Sequence, residues 1–189
     1  MIERAVIRNE AAVTIEDLRE EAAAPPRREG SGRKLNPGMQ RQWRAFADKF
    51  IAGASFDDPS QPLPRIGGLG WMRMPLPGGH WITLWRRIGN ADAGAAAILA
   101  GSNGHAEFEA LGEERAIVDE EFADAGLPAP EWERKEKNAS ISLSWPAPQP
   151  WDEQSEEVQR AALLAAANQL VNSLRPRLER AARNAALSA

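Results

Sequence analysis

Apolar residues recur along this chain with two periods, and the points where one gives way to the other mark its elements. Over 38–53, Trp43, Phe46, Ala47, Phe50 and Ile51 fall at i, i+3, i+4, i+7 and i+8, a single stripe on an amphipathic helix. Residues 104–126 repeat the pattern with Phe108, Leu111, Val118 and Phe122, and Gly126 is the expected stop. Glu107, Glu109, Glu113 and Glu114 occupy its N-terminal half, where the helix dipole favours acid. A last helix, 152–186, opens on Asp152 as N-cap and keeps Leu164, Ala167, Val171, Leu174, Leu178 and Ala181 at steps of three and four. Pro176 lies inside it and is expected to kink or break it near Leu174.

Between these helices the period falls to two. In 80–88, Trp81, Thr83, Trp85 and Arg87 share one face of a strand, and Ile82, Leu84 and Ile88 share the other. In 139–145, Ile141, Leu143 and Trp145 alternate with Ser140, Ser142 and Ser144, a half-buried strand. Residues 71–75, 94–101 and 131–137 are further strands, Asn138 is the expected turn after the last, and 54–70 is a Pro/Gly loop. The sum is an α+β domain, an antiparallel sheet of about five strands packed with three helices. Trp43 and Trp145 sit on apolar faces and are assigned to the core. The mixed face of Trp81 and Trp85 is expected beneath a helix, because Trp is mostly buried; an exposed aromatic–Arg surface is the rival.

Ahead of this domain the pattern changes. Residues 1–24 predict a short βα piece, with a strand at 3–8 and a helix from Thr14 to Glu21. Residues 25–37 are a basic Pro/Gly linker without apolar periodicity, so 38–189 forms the main domain.

Composition narrows the chemistry. The 189 residues hold 23 Lys+Arg against 27 Asp+Glu, two His and no Cys. Without Cys there are no disulfides, thiolate metal sites or cysteine nucleophiles. His80 and His105 are too few for the usual His-rich metal sites, so no metal or cofactor is expected, although carboxylates can hold a hard cation. The charged N-terminus and the lack of a long apolar run predict a cytoplasmic protein with no membrane partner.

The Gly-rich stretches 30–32 and 67–70 lack the spacing of phosphate loops, and no Ser occupies a G-x-S-x-G elbow. Glu133 and Lys135 spell E-x-K on a predicted strand, with Asp57 and Asp58 upstream. That is the donor set of a Mg²⁺-dependent nuclease, but a strand charged on both faces is first a solvated edge. Both His are read as structural. Basic residues cluster twice: Arg27, Arg28, Arg33 and Lys34 in the linker, continued by Arg41, Arg44 and Lys49, and Arg175, Arg177, Arg180 and Arg183 at the end of the last helix. With Trp81, Trp85 and Arg87 the linker and terminal clusters form the candidate contact set for nucleic acid or a partner protein.

From Leu35 onward the chain resembles a bacterial family known as domain of unknown function 4268. The landmarks are QWRAFADKF (42–50), HWITLWRR (80–87), FEALGEERAIVDEEF (108–122), EWERKEKNASISLSW (131–145) and LRPRLERA (174–181), in that order. Members look like stand-alone proteins or C-terminal partners of nuclease-like modules, which implies a restriction, repair or defence setting. The resemblance carries over no catalytic residue, and the first 34 residues are too few for a nuclease domain. Tyr, frequent in the family's sheet, is absent here. The expected function is therefore a non-catalytic accessory module of a DNA-associated system. A Mg²⁺-dependent nuclease using Glu133 and Lys135 and a homo-oligomer built on the last helix are the alternatives.

Overall fold

The computed structural model describes residues 37–87, 91–101, 103–147 and 152–187; the strand and helix expected in 1–24 and the linker up to residue 36 lie outside them. In chain order the elements are α1 (Pro37–Gly53), β1 (Arg65–Gly68), β2 (Trp71–Pro75), a 3₁₀ turn (Pro77–Gly79), β3 (Trp81–Arg87), β4 (Asp92–Ala100), α2 (Gly104–Glu113), α3 (Arg115–Asp124), β5 (Glu131–Arg134), β6 (Asn138–Pro146) and α4 (Glu153–Leu187). The strands form one sheet in the order β1-β2-β3-β4-β6-β5, every pair antiparallel.

The α+β expectation holds, with local corrections. The sheet has six strands, not five, because part of the expected 54–70 loop pairs as β1: Arg65 lies opposite Arg73 and Ile66 opposite Met72. Three of the four β1 residues bear no apolar side chain, so periodicity could not reveal it. A Cβ on Gly67 would fall 1.7 Å from the Trp71 ring, so the edge strand is glycine-rich to seat that indole. The single helix expected over 104–126 is two, interrupted at Glu114 (φ −99°, ψ 11°), whose N–H turns back to the carbonyl of Leu111 at 3.0 Å. Asn138 is the first residue of β6 rather than the turn; the N–H of Lys135 donates to its carbonyl at 2.8 Å and closes the hairpin. Helix α4 does not break near Leu174 but runs through Pro176. Proline cannot donate to the preceding turn, and here the Arg177 guanidinium donates to the Ser173 carbonyl at 2.6 Å, satisfying an acceptor beside the gap.

Two helix ends follow their sequence signals. Asp152 caps α4, its Oδ1 accepting from the Ser155 N–H at 2.8 Å. Gly126, at φ 71°, ends α3 in a Schellman arrangement, with Gly126 N–H to Ala123 and Leu127 N–H to Phe122, both 2.9 Å.

All four helices contribute to one core on one face of the sheet. Met72, Met74, Ile82, Leu84, Leu99, Ile141, Leu143 and Trp145 rise from the strands to meet Trp43, Phe46 and Phe50 of α1, Leu111 of α2, Val118 and Phe122 of α3, and Leu163, Leu170, Leu174 and Leu178 of α4. Strand β4 offers Ala93, Ala95 and Ala97 at the centre, and these short side chains let α4 lie close to the sheet. Each fully buried Leu or Phe contributes about 1.5–3 kcal/mol, so this layer dominates stability. Trp43 and Trp145 are core, as expected, and their indole N–H groups donate to the Gly68 carbonyl (2.9 Å) and to Gln159 Oε1 (2.8 Å).

Candidate functional site: the open face of the sheet

Because side chains alternate along a strand, committing Met72, Met74, Ile82 and Leu84 to the core sends Trp71, Arg73, Trp81, Thr83, Trp85 and Arg87 to the opposite face. Contrary to the expectation, no helix among the described residues lies over this face. Among the described residues the helices spend their buried side chains on the core, and the indoles of residues 71, 81 and 85 are only half-buried. The reason is topological: the described helices form a single layer, and one layer covers one face.

Register orders the open face into rows. Trp71, Trp85, Gly94 and Ser144 lie side by side across β2, β3, β4 and β6. The next row is Arg65, Arg73, Thr83, Ala96, Ser142 and Glu131, and the next Pro75, Trp81, Ile98, Ser140 and Glu133. Large aromatic and cationic side chains therefore stand over β1–β3. Gly94 and Ala96 make a low floor in β4, and hydroxyls and charges stand over β6 and β5. The result is a shallow trough of about 490 Å³ walled by Trp71, Arg73 and Trp85 on one side and Glu133 and Lys135 on the other.

The aromatic wall is held by its own contacts. The Arg73 guanidinium lies 4.3 Å from the Trp81 ring centroid and 5.1 Å from that of Trp71, so it stands between two indoles. Arg87 lies 5.5 Å from the Trp85 centroid and is anchored by Asp92, its Nε donating to Oδ1 at 2.8 Å. Trp85 rests on Gly94, where a Cβ would come within 2.4 Å of the ring. Its indole N–H is buried without a hydrogen-bond partner, an unmet donor in the wall. On the far wall, Glu133 and Lys135 pair at 2.9 Å with both side chains more than half exposed.

Other residues singled out by the sequence lie elsewhere. Arg27, Arg28, Arg33 and Lys34 fall outside the described residues. The terminal arginines stand on α4, on the helical side, and are not brought to the trough. Arg177 binds Glu114 (2.9 Å) and both oxygens of Glu121 (2.9 and 3.0 Å), Arg180 binds Glu114 (2.7 Å), and Arg175 meets Asp58 (3.2 Å) and Glu179 (3.0 Å). Arg183 is exposed on the final turns. Arg177 and Arg180 hold the Glu114 carboxyl below its ordinary range, Arg177 contributing most. They therefore fasten α4 to the break between α2 and α3. Most of the stripe expected as an oligomer contact is likewise occupied: Ala167, Val171, Leu174 and Leu178 are buried in the core, while Leu164 and Ala181 are partly exposed.

His80 is structural, as expected. Its buried ring accepts the Ala100 N–H at Nδ1 (3.2 Å), which leaves Nε2 to donate to Glu107, tying β3, β4 and α2 together. Asp57, proposed as a distant partner of Glu133, accepts hydrogen bonds from Asn168 and Asn172 of α4 instead. Among the described residues no group of three or more His, Asp or Glu is arranged to hold a metal ion, and no helix is long and apolar enough to cross a membrane.

Sequence reasoning missed Arg73, Trp71 and the small floor residues Gly94 and Ala96 as members of this surface. The alternation WMRMP was the available signal, since it puts Trp71 and Arg73 opposite two methionines. Comparison of the chain with protein-family models, with curated proteins and with solved structures finds no match.

Proposed function

We propose that the open sheet face binds single-stranded nucleic acid, and that the protein is a non-catalytic binding module. The observation that carries this reading is the cluster of three partly exposed indoles with Arg73 between two of them, on a face that no described helix covers. A flat base can stack on an indole whatever its sequence, and each stack is worth about 1–3 kcal/mol. Arg65, Arg73 and Arg87 line the same side of the face and suit the phosphates between stacked bases. A net charge of −4 disfavours indiscriminate binding to polyanions, so affinity would come from this local surface. The resemblance to domain of unknown function 4268 adds the setting, an accessory role in a DNA-associated or defence system.

The test is a titration of intrinsic Trp fluorescence with single-stranded DNA and RNA across a salt series. Binding should quench the emission, and three phosphate contacts would give a log–log salt slope of about −2. Trp81→Ala should weaken binding by about 5- to 150-fold. Absence of quenching at low salt, or full affinity in the Trp81→Ala and Arg73→Ala variants, would refute the reading.

A second reading keeps its place because Glu133 and Lys135 face the same trough. In it the protein is a Mg²⁺-dependent nuclease, cleavage requires the metal, and Glu133→Ala abolishes it. Cleavage that survives Glu133→Ala removes that reading and leaves the binding surface untouched.

A further inference from the structure

The two walls of the trough differ in kind, and the difference has a chemical meaning. The β2–β3 wall offers ring faces and guanidinium groups; the β6–β5 wall offers Ser140, Ser142, Glu133 and Lys135. Strand β3 is separated from β5 by β4 and β6, so the walls stand about 14 Å apart at the backbone. A single cavity touches both walls, so a planar base lying in it meets an indole with its face and the far wall with its edge. The volume of about 490 Å³ is within the range of sites that hold a small ligand.

Glu133 and Lys135 make that far wall selective. Their charged ends are 2.9 Å apart, an acceptor-only carboxylate beside a donor-only ammonium. Guanine presents N1–H and N2–H side by side, two donors for one carboxylate, with O6 next to them as an acceptor for the ammonium. Adenine and cytosine each present one exocyclic amine to the carboxylate and one ring nitrogen to the ammonium, two contacts where guanine makes three. Thymine and uracil flank their single N–H with carbonyls that face the carboxylate unfavourably. Hypoxanthine keeps N1–H and O6 but lacks the second donor.

We infer that the Glu133–Lys135 pair reads the Watson–Crick edge of an unpaired guanine stacked on the Trp wall. This rests on the reading of the open face as a single-strand-binding surface and assigns its base preference. Ser140 and Ser142, at the foot of the same wall, can donate or accept and complete the polar edge.

The experiment is a fluorescence titration of the full chain with four deoxyoligonucleotides: twelve thymidines, and the same strand with every third base replaced by guanine, by hypoxanthine or by adenine. Isolated guanines avoid four-stranded assemblies. The guanine strand should bind about tenfold tighter than the thymidine strand, as one bidentate pair predicts. Hypoxanthine and adenine should each lose most of that gain. Glu133→Gln should abolish the difference in affinity between the guanine and thymidine strands, and Lys135→Met should reduce the same preference. Both residues are exposed, and circular dichroism checks that the variants fold. Equal affinity for all four strands overturns the guanine assignment but leaves the stacking surface standing, as does a preference that survives both substitutions. Failure of every strand to bind removes the underlying reading, and this assignment with it.

Discussion

Replacing Arg177 with Met distinguishes a structural clamp from a ligand surface at the end of α4. The substitution keeps the aliphatic stem and removes a guanidinium that is mostly buried, with 11% of its side chain exposed. Lost with it are contacts to Glu114 at 2.9 Å, to Glu121 at 2.9 and 3.0 Å and to the Ser173 carbonyl at 2.6 Å. Hydrogen bonds to charged groups contribute about 1.5–3 kcal/mol each when fully buried. Both glutamates are 36% exposed, so water screens the loss towards the smaller values of surface pairs. Glu114 also keeps Arg180. The net cost should be about 2–3 kcal/mol, which for a domain of this size lowers Tm by about 5–10 °C. Thermal melts and urea titrations of Arg177→Met measure it, with Glu121→Gln and the double variant closing a cycle. Arg183→Met, on the exposed final turns, should stay within about 0.5 kcal/mol of the parent.

The pH dependence has a definite sign. Arg177, first among its neighbours, holds the Glu114 carboxyl below its ordinary range. Its contribution to stability is therefore complete above the ordinary glutamate pKa of about 4.3 and is lost as pH falls through the lowered value. The gap between parent and Arg177→Met should narrow over that acid interval. A variant that melts like the parent at neutral pH yet loses oligonucleotide binding would overturn the clamp and restore the terminal arginines as a contact surface.

Two further outcomes follow from the core. Arg86 is buried on the covered face, 5.0 Å from the Phe46 centroid; burial, only partly offset by Glu156 and Asp152, pulls its pKa down to about 10. Arg86→Met should therefore stabilise by about 1–3 kcal/mol in urea titrations at pH 7. The unfolded chain binds more protons between pH 10 and the ordinary arginine range, so the parent recovers ground there as pH rises; a variant destabilised by more than about 1 kcal/mol would show the charge to be well accommodated. Pro176→Ala restores an N–H inside α4 and should raise stability by about 1–3 kcal/mol, read from Tm; an unchanged or lower Tm would mean that the helix had already adapted to the ring.

Much of the fold is written in local pattern. The 43–46–47–50 stripe, the Gly126 stop, the Asp152 cap and the Ser/apolar alternation of β6 each report a local requirement, and each is met. What escaped the pattern has non-local causes. Strand β1 exists because β2 offers it a partner, and its glycines answer to the Trp71 ring rather than to their sequence neighbours. The break at Glu114 leaves apolar spacing intact on both sides, so only the turn geometry exposes it. Arg177 and Arg180 looked like part of a free cationic cluster because their carboxylate partners lie 56 to 66 residues away.

The sequence by itself determined which side chains share a face: once Ile82 and Leu84 alternate with Trp81, Thr83 and Trp85, no fold can bury both sets against one layer. It could not determine which face that layer would cover or whether a second layer would follow. That choice lies in strand order and in where α1 and α4 return to the sheet, contacts between residues far apart in the chain. By packing every described helix on the methionine and leucine side, the tertiary structure left the indoles and Arg73 facing outward. Register across β4 and β6 then brought them opposite Glu133 and Lys135, and a surface with two chemically distinct walls resulted.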